Sequence, residues 1–404
     1  MLQIKNILFI FLSLICFDSL ATTNPENNQI ENGDWYFKLN ITKHCYIPIL
    51  GTIQNNVLTI NNGIERINLE PFRAVEGDLI ANFSLYHSSV VITKSSSKSL
   101  SGYWKNYNRK GNYKIKFTAI KKKPRLKKNK KTLRRLDGKW EATIQYGKST
   151  NLVGDFKFAD NQLHGTFRSE TGDYRYLAGH AIKDSLFLSC FDGTHCYLFT
   201  GRLHKNDSIS GQFFSGNHYK TTWTAIKNPN VTLRDPDSLT FLATKDPISF
   251  ALPSTNNKII SYDSLRLKSK PVIIQIFGSW CPNCVDETHF LNTLSTKYGD
   301  NINIVGIGFE MGHSEEDKMN HLIKFKKKMN VKYPLLLGGT ADKKQAGKIF
   351  PMLNHVMSFP TLLVVNPDGK IVKIHTGFNG PATGAHYENF KSEMDRLLDD
   401  LVNI

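Results

Sequence analysis

The segment FGSWCPNCVDETHF at residues 277–290 decides the fold of the C-terminal part of this chain. It follows the continuous apolar run 272–277 and leads into a helical pattern over 285–298. A strand that runs directly into a helix places Cys281 at the helix N-terminus, where unpaired backbone N–H groups favour a thiolate. Cys284 then lies one helical turn deeper, where it can attack a mixed disulfide formed by Cys281.

Three interpretations of this cysteine pair compete. A structural zinc site needs four ligands, but the sequence holds no second CxxC and offers only His289 nearby. A purely structural disulfide would close a very short loop and stabilise the protein little. We therefore favour redox chemistry by a Cys281–Cys284 disulfide, with no metal and no further cofactor.

The surrounding pattern alternates strands and helices. We predict strands at 272–277, 302–309, 361–365 and 371–376, and helices at 285–298, 317–329 and 387–402. This order predicts an α/β domain over 246–404, with a mixed sheet covered by helices.

Four motifs in this domain resemble the TlpA/ResA type of thioredoxin-like thiol–disulfide oxidoreductases. They are PISFALPS (247–254), VIIQIFGSWCPNC (272–284), SFPTLLVVNPDGKIV (358–372) and HTGFNGPATGAHYENF (375–390), the last being similar to the close of Bacteroidetes members. The resemblance implies a thioredoxin-like fold and an exported enzyme that reduces protein disulfides. A peroxidase of the same fold would need a threonine where Gly278 stands.

The resemblance also assigns roles to individual residues. It makes Cys281 the attacking cysteine, Cys284 the resolving cysteine and Glu287 a proton shuttle one turn further along the helix. Substrate binding is expected at Trp280 and at Phe359-Pro360, where a cis-proline without an N–H leaves neighbouring backbone open to an extended substrate. The chain departs from the family at His289, where a proline is common.

The resemblance further implies partners. Protein thiols and disulfides would be the substrates, and a membrane electron-donor protein would return the enzyme to its reduced form. The alternative function is that of an envelope binding or adaptor protein, in which the N-terminal region recognises a ligand and the redox domain assists.

The N-terminus has the features of an export signal. Residues 1–21 carry one lysine, an apolar run and small residues at Ser19 and Ala21. We expect cleavage after Ala21 and a periplasmic or cell-envelope location, with a retained membrane anchor or lipid attachment at Cys16 as alternatives.

Two similar segments precede the α/β domain. GDWYFKLNI (33–41) is echoed by GKWEATIQY (138–146), and a second pair of segments repeats at a similar offset. Alternating apolar residues between turns predict two antiparallel all-β units, 33–120 and 138–227, each folded as a meander barrel or a sandwich. A linker at 228–245 follows the second unit.

Much of the net charge of +17 lies at 121–135, where ten of fifteen residues are Lys or Arg. We expect this part of a basic linker, 121–137, to be solvated and extended, with contact to an anionic membrane surface as the alternative and no nucleic-acid binding. Cys190 and Cys196 flank an Asp-Gly turn, which predicts a structural disulfide across a hairpin.

Overall fold

The computed structural model describes residues 30–121, 129–159, 161–266 and 270–403. The predicted export signal at 1–21 lies outside these ranges. Within them, no helix is long and apolar enough to cross a membrane.

The first β-unit is a single antiparallel sheet within 30–121, a range that the structure describes throughout. Its strand order is β4-β3-β2-β1-β9-β8-β7-β6-β5, which leaves β4 and β5 at the edges. A single bridge between Leu69, just after β4, and Phe83, just after β6, brings the two sides of the sheet together without pairing its edge strands, so the sheet curls into an open half-barrel. Its strands are β1 (Gly33–Thr42), β2 (Cys45–Gln54), β3 (Val57–Asn62), β4 (Glu65–Asn68), β5 (Arg73–Val75), β6 (Asp78–Asn82), β7 (Ser88–Ser95), β8 (Ser99–Asn106) and β9 (Lys114–Ile120).

The second β-unit is a closed antiparallel barrel. Its sheet order is β11-β10-β18-β17-β16-β15-β14-β12-β13, and β11 also pairs with β12, which joins the two ends. This closure makes the unit a barrel and not a sandwich, and buried aromatic rings such as Phe167, Phe199 and Trp223 fill its interior. Its strands are β10 (Gly138–Tyr146), β11 (Lys148–Ala159), β12 (Gln162–Ser169), β13 (Gly172–Asp173), β14 (Leu177–Ile182), β15 (Ser185–Phe191), β16 (Cys196–Leu203), β17 (Ser208–Ser215) and β18 (Tyr219–Lys227).

The end of the predicted basic linker is not extended. Residues Lys130–Arg135 form helix α1, which begins after the N-cap Asn129. Leu133 and Leu136 are buried in the barrel interior, while Arg135 pairs with Asp207 at 2.7 Å. Two leucines among the basic residues therefore outweigh the charge repulsion, because they close one end of the barrel. Residues 122–128 lie outside the described ranges.

The C-terminal domain has the predicted mixed sheet between helices. Its five-stranded sheet has the order β23-β22-β21-β24-β25, in which β21, β22 and β23 are parallel and β24 is antiparallel to both of its neighbours, β21 and β25. All six residues of β21 are buried, as expected for a central strand covered on both faces. The elements are α2 (Pro236–Leu239), β19 (Ala251–Pro253), β20 (Ile259–Ser261), α3 (Tyr262–Arg266), β21 (Val272–Phe277), α4 (Pro282–Tyr298), β22 (Asn303–Glu310), α5 (Glu315–Lys328), β23 (Leu335–Thr340), α6 (Lys343–Ile349), β24 (Thr361–Val365), β25 (Ile371–Thr376) and α7 (Ala385–Val402), with 3₁₀ turns at Gly299–Asn301 and Pro381–Thr383.

The three parts share apolar contacts. One cluster of buried side chains extends from the half-barrel into the C-terminal domain, and it includes Phe191 and Cys196 from the outer face of the barrel. Phe191 lies edge-on to Phe83 and Trp104, with ring centroids 5.7 and 5.2 Å apart. The barrel is therefore held against the rest of the molecule by buried aromatic packing.

Candidate active site

Cys281 is the N-cap residue of α4. Its sulfur accepts a hydrogen bond from the backbone N–H of Cys284 at 3.4 Å, and its thiol donates to the carbonyl oxygen of Phe359 at 3.5 Å. The free N–H groups of the first helical turn stabilise a thiolate in this position. Cys281 keeps 9% of its surface exposed, whereas Cys284 is fully buried. Cys281 also lines a cleft, and Cys284 does not, so Cys281 is the cysteine that another molecule can reach.

Cys284 is held in a protonated state by its surroundings. Burial raises the pKa of its thiol well above the usual value, and the neighbouring Cys281 and Glu287 act in the same direction. Its carbonyl oxygen accepts hydrogen bonds from Thr288 Oγ1 at 2.8 Å and from Gln275 Nε2 at 3.4 Å. These contacts fix the first turn of α4 against the central strand β21.

Glu287 lies one helical turn beyond Cys284 and is fully buried. Its Oε2 accepts a hydrogen bond from Gln275 Nε2 at 2.9 Å, and its Oε1 has no hydrogen-bond partner within the described part of the chain. Burial raises the pKa of Glu287 to about 8, although the Gln275 hydrogen bond opposes the shift. A carboxyl group with this pKa can both hold and release a proton near neutral pH.

The residues expected to bind substrate lie beside Cys281. The peptide bond between Phe359 and Pro360 is cis. The indole N–H of Trp280 donates to the carbonyl oxygen of Phe309 at 2.9 Å, and its ring lies edge-on to Phe359 at 6.0 Å between centroids. The structure thus brings together all six residues predicted for catalysis and substrate binding.

One buried carboxyl group at the site was missed in the sequence. Glu310 ends β22, is fully buried, and accepts hydrogen bonds from Ser279 through the backbone N–H at 2.9 Å and the hydroxyl at 2.6 Å. Burial raises the pKa of Glu310 to about 7. The sequence does contain a signal for this residue, because Glu310 is a charged residue at the end of a mainly apolar strand. A glutamate is rarely buried unless its carboxylate is paired, here with Ser279 of the active-site loop.

Comparisons with known proteins agree with this geometry. Residues 236–390 match the family model described as Redoxin. The chain is 29% identical to the thiol–disulfide oxidoreductase ResA of Bacillus subtilis (strain 168) over 133 residues, which is 33% of this chain and 66% of ResA. It is 26% identical to the thioredoxin-like protein YneN of the same organism over 132 residues, covering 33% of this chain and 65% of YneN. The chain therefore spans slightly less than two thirds of the length of these relatives.

Two solved structures match part of this chain at lower sequence identity. A thioredoxin-family thiol:disulfide interchange protein from Chlorobium tepidum TLS is 19% identical, with 40% of this chain and 99% of that chain covered and a TM-score of 0.30. A secreted disulfide oxidoreductase from Mycobacterium tuberculosis is 16% identical, with 37% and 99% covered and a TM-score of 0.29.

The C-terminal region is a ResA-like thioredoxin domain. Cys281 and Cys284 lie close together, one helical turn apart, as the cysteine pair of a thiol–disulfide oxidoreductase domain does. The domain accounts for less than half of the chain, and the β-units contribute further residues to its surroundings.

The barrel contacts the thioredoxin domain directly beside the cysteines. The β12–β13 hairpin reaches the cis-proline segment, where Ser358 Oγ donates to the carbonyl oxygen of Thr171 at 3.2 Å. Asn283 Nδ2 donates to the carbonyl oxygen of Asp173 at 3.3 Å, and the backbone N–H of Gly380 donates to the Asp173 carboxylate at 2.6 Å. This contact could not be predicted from the sequence, because more than a hundred residues separate the hairpin from α4.

A buried ion cluster joins all three parts of the molecule at α4. Arg175 of the barrel donates to Asp286 of α4 and to Glu65 of the half-barrel, the latter at 2.7 Å, and its guanidinium lies 3.9 Å from Asp192. Burial raises the pKa of Asp286 to about 7, although Arg175 opposes the shift. A buried arginine with three acidic neighbours fixes the orientation of α4, and removing one partner would leave a buried charge uncompensated.

Cys190 and Cys196 are not brought together. In the β15–β16 register Cys190 pairs with Tyr197 and Phe191 pairs with Cys196, so the two cysteines are offset by one residue. Cys190 faces the barrel interior, whereas Cys196 faces the cluster shared with the half-barrel, and both are free. Cys45 is also free and half-buried at the start of β2. No cluster of three or more potential metal ligands occurs within the described ranges.

Proposed function

We propose that this protein is an exported thiol–disulfide oxidoreductase that reduces protein disulfides. The observation that carries the proposal is the arrangement of Cys281, which lines a cleft, as the N-cap of α4 with the fully buried Cys284 one turn behind it. The relatives named as thiol–disulfide oxidoreductases support the reaction class, and the resemblance to the TlpA/ResA type supports the reducing direction.

The first step is attack on a substrate disulfide. The Cys281 thiolate forms a bond to one substrate sulfur, and the substrate S–S bond breaks with release of the other sulfur as a thiolate. The helix N-terminus stabilises the attacking thiolate, and the high pKa of Cys284 keeps the second sulfur protonated until the mixed disulfide exists.

The second step releases the reduced substrate. Cys284 loses its proton and attacks the Cys281 sulfur, which forms the Cys281–Cys284 disulfide and frees the second substrate thiolate. Glu287 is the proposed proton acceptor for Cys284, since it lies one turn away and its pKa of about 8 lets it exchange a proton near neutral pH. Two electrons pass from the cysteine pair to the substrate.

The proposal includes a location and partners. Protein disulfides outside the cytoplasm are the substrates, in the periplasm or cell envelope, and residues 1–21 direct export. An oxidised Cys281–Cys284 pair in such a compartment needs a membrane electron-donor protein to restore its thiols.

A stoichiometric exchange experiment tests both reaction and direction. The fully reduced full-length chain is mixed with an equimolar disulfide-bonded peptide, and in parallel the oxidised chain is mixed with the reduced peptide. A reductase converts most of the disulfide peptide to its dithiol and leaves the reduced peptide unchanged. Net oxidation of the dithiol peptide would contradict the reducing direction. No exchange in either mixture would contradict the proposed thiol–disulfide oxidoreductase activity.

A further inference from the structure

A cleft lies directly beside Cys281, between the thioredoxin domain and the barrel. Its volume is about 210 Å³. One wall consists of Trp280, Cys281 and neighbouring residues of the active-site loop, and the opposite wall includes Tyr174, His195 and Tyr197 of the barrel. A substrate that reaches Cys281 through this cleft therefore enters between two domains.

The barrel wall is hydrogen-bonded to the thioredoxin domain through the β12–β13 hairpin. The β12–β13 hairpin bonds to Ser358, Asn283 and Gly380, as described above. The backbones also meet closely, since a Cβ atom added to Gly377 would lie 2.7 Å from the carbonyl carbon of Thr171. Gly377 has φ +74°, so both the conformation and the close approach require glycine there. The hairpin is thus part of the cleft and not a loose loop above it.

The aromatic residues of the barrel wall are held in place by contacts with one another and with Asp192. The His195 and Tyr197 rings stack at 4.6 Å between centroids, and Tyr174 lies 5.3 Å from Tyr197. His195 is anchored by Asp192, whose carboxylate accepts from the His195 backbone N–H at 2.6 Å and lies 3.1 Å from its Nδ1. Such a wall offers flat faces on which peptide planes and apolar side chains can pack.

The size of the cleft limits what can enter. Pockets for whole small-molecule ligands have volumes of about 300–1,000 Å³, and this cleft is smaller. It has room for a cysteine side chain and part of its neighbours. A folded partner that bound stably would cover about 800 Å² around the sulfur. The barrel occupies one side of Cys281, so a folded surface cannot approach from that side.

We infer that the barrel makes this site selective for a cysteine carried on an extended, unfolded polypeptide segment, with Tyr197 and His195 as the residues that set this selectivity. The inference rests on the proposed function, because it concerns the substrate of the same sulfur. It also gives the second β-unit a role in the reaction: the barrel excludes disulfides embedded in a folded surface.

The test compares one disulfide in two settings. A cysteine is converted to its mixed disulfide with 5-thio-2-nitrobenzoate, once in an unstructured peptide and once on a helix of a small folded carrier. Release of thionitrobenzoate by the reduced full-length chain is measured for both and divided by the rate with free dithiothreitol, which corrects for the intrinsic reactivity of each disulfide. We expect the corrected rate for the peptide to exceed that for the carrier by about 100-fold.

Wall variants show whether the barrel causes this preference. Tyr197→Ala and His195→Ala widen the cleft from the barrel side, and each should lower the peptide-to-carrier ratio about tenfold, mainly by raising the carrier rate. Tyr219→Ala is the matched control, because it removes a tyrosine ring from the same barrel outside the cleft and should leave the ratio unchanged. Thermal melts identify any variant that fails to fold. If one wall variant is unfolded, the peptide-to-carrier ratio of the other wall variant tests the inference.

The outcomes separate the inference from the proposed function. Equal corrected rates for peptide and carrier in the wild-type chain would overturn the inference but would still agree with the proposed oxidoreductase function. A wild-type preference that both folded wall variants retain would also overturn it. No thionitrobenzoate release from either substrate, or from a small aromatic disulfide, would contradict the proposed function itself.

Discussion

The cysteine pairs Cys281/Cys284 and Cys190/Cys196 are both close in sequence, yet only the first pair has a member at a helix N-terminus beside a cleft. The first pair spans one turn at the start of α4, where Cys281 is partly exposed and hydrogen-bonded to the backbone N–H of Cys284. The second pair lies on neighbouring strands, and both its members are buried. Burial raises the pKa of Cys190 and Cys196 well above the usual value for a thiol.

The difference shows how secondary structure sets the use of a cysteine. Residues three apart on a helix lie on one face, so two sulfurs can share one site. Neighbouring positions on a strand face opposite sides of the sheet, so a register offset of one residue sends the two thiols of the hairpin into different apolar clusters. Spacing in the sequence alone therefore does not distinguish a reactive pair from two packing residues.

The largest expected effect comes from removing the exposed sulfur. Cys281→Ser should lower disulfide exchange on the order of a thousandfold or more, because a hydroxyl at neutral pH is a far weaker nucleophile than a thiolate. Thiol release from a disulfide peptide measures this loss. Cys196→Ala is the matched control and should retain the wild-type rate; a similar loss in that variant would show that the two pairs do not differ as described.

Glu287→Gln should slow the second step about a hundredfold, because the amide cannot accept the Cys284 proton. The mixed disulfide on Cys281 then accumulates and can be trapped with acid and weighed by mass spectrometry. In the wild-type chain the resolving rate should rise as Glu287 ionises near pH 8, and the variant should lack this rise. A variant that resolves its mixed disulfide at the wild-type rate would exclude Glu287 as the proton acceptor.

The same substitution should change how stability depends on pH. Glu287 has a folded-state pKa of about 8 against an ordinary value of 4.5, so the unfolded chain releases this proton first as the pH rises. The stabilising contribution of the protonated carboxyl is present below about pH 4.5 and is lost as the pH rises to 8.

Between pH 5 and pH 8.5 the wild-type chain should therefore lose about 4 kcal/mol more unfolding free energy than Glu287→Gln, which stays neutral throughout. Urea unfolding at both pH values measures the difference. Equal losses of unfolding free energy in the two proteins would show that Glu287 is already ionised in the folded chain at pH 5 and that its pKa is not raised.

The smallest effect concerns the hairpin cysteines. Cys190→Ala and Cys196→Ala should each lower the unfolding free energy by about 1 kcal/mol, because each removes a buried sulfur from its own apolar cluster. The two losses should add in the double variant, since the thiols do not contact the same cluster. If the pair formed the disulfide that the hairpin sequence predicts, either single change would break the same bond and the double variant would lose little more.

Much of the thioredoxin domain could be predicted from the sequence. The predicted strands 272–277, 361–365 and 371–376 coincide with β21, β24 and β25, because continuous apolar runs between turns are a strong local signal. Helix α4 begins at Pro282, three residues before the predicted start, because proline and the N-cap Cys281 fit the first turn without an apolar pattern.

Long-range contacts could not be predicted in this way. Closure of the barrel depends on pairing its first strand, β10, with its last strand, β18, and an open sheet has the same alternating pattern. Arg175 lies 111 positions from Asp286, and nothing local to either residue indicates the other. The same holds for the hairpin at Thr171 beside the cis-proline, so the cleft at Cys281 became visible only in the folded structure.

The most direct test is a redox titration that reports on each cysteine separately. The full-length chain is equilibrated with glutathione buffers of graded potential, unfolded with an alkylating reagent, and analysed by mass spectrometry for the label on each thiol. We predict that Cys281 and Cys284 gain and lose their labels together, with one midpoint and a two-electron slope, while Cys190 and Cys196 stay labelled across that range. Independent titration of Cys281 and Cys284, or a shared midpoint for all four cysteines, would contradict the assignment of the reactive pair.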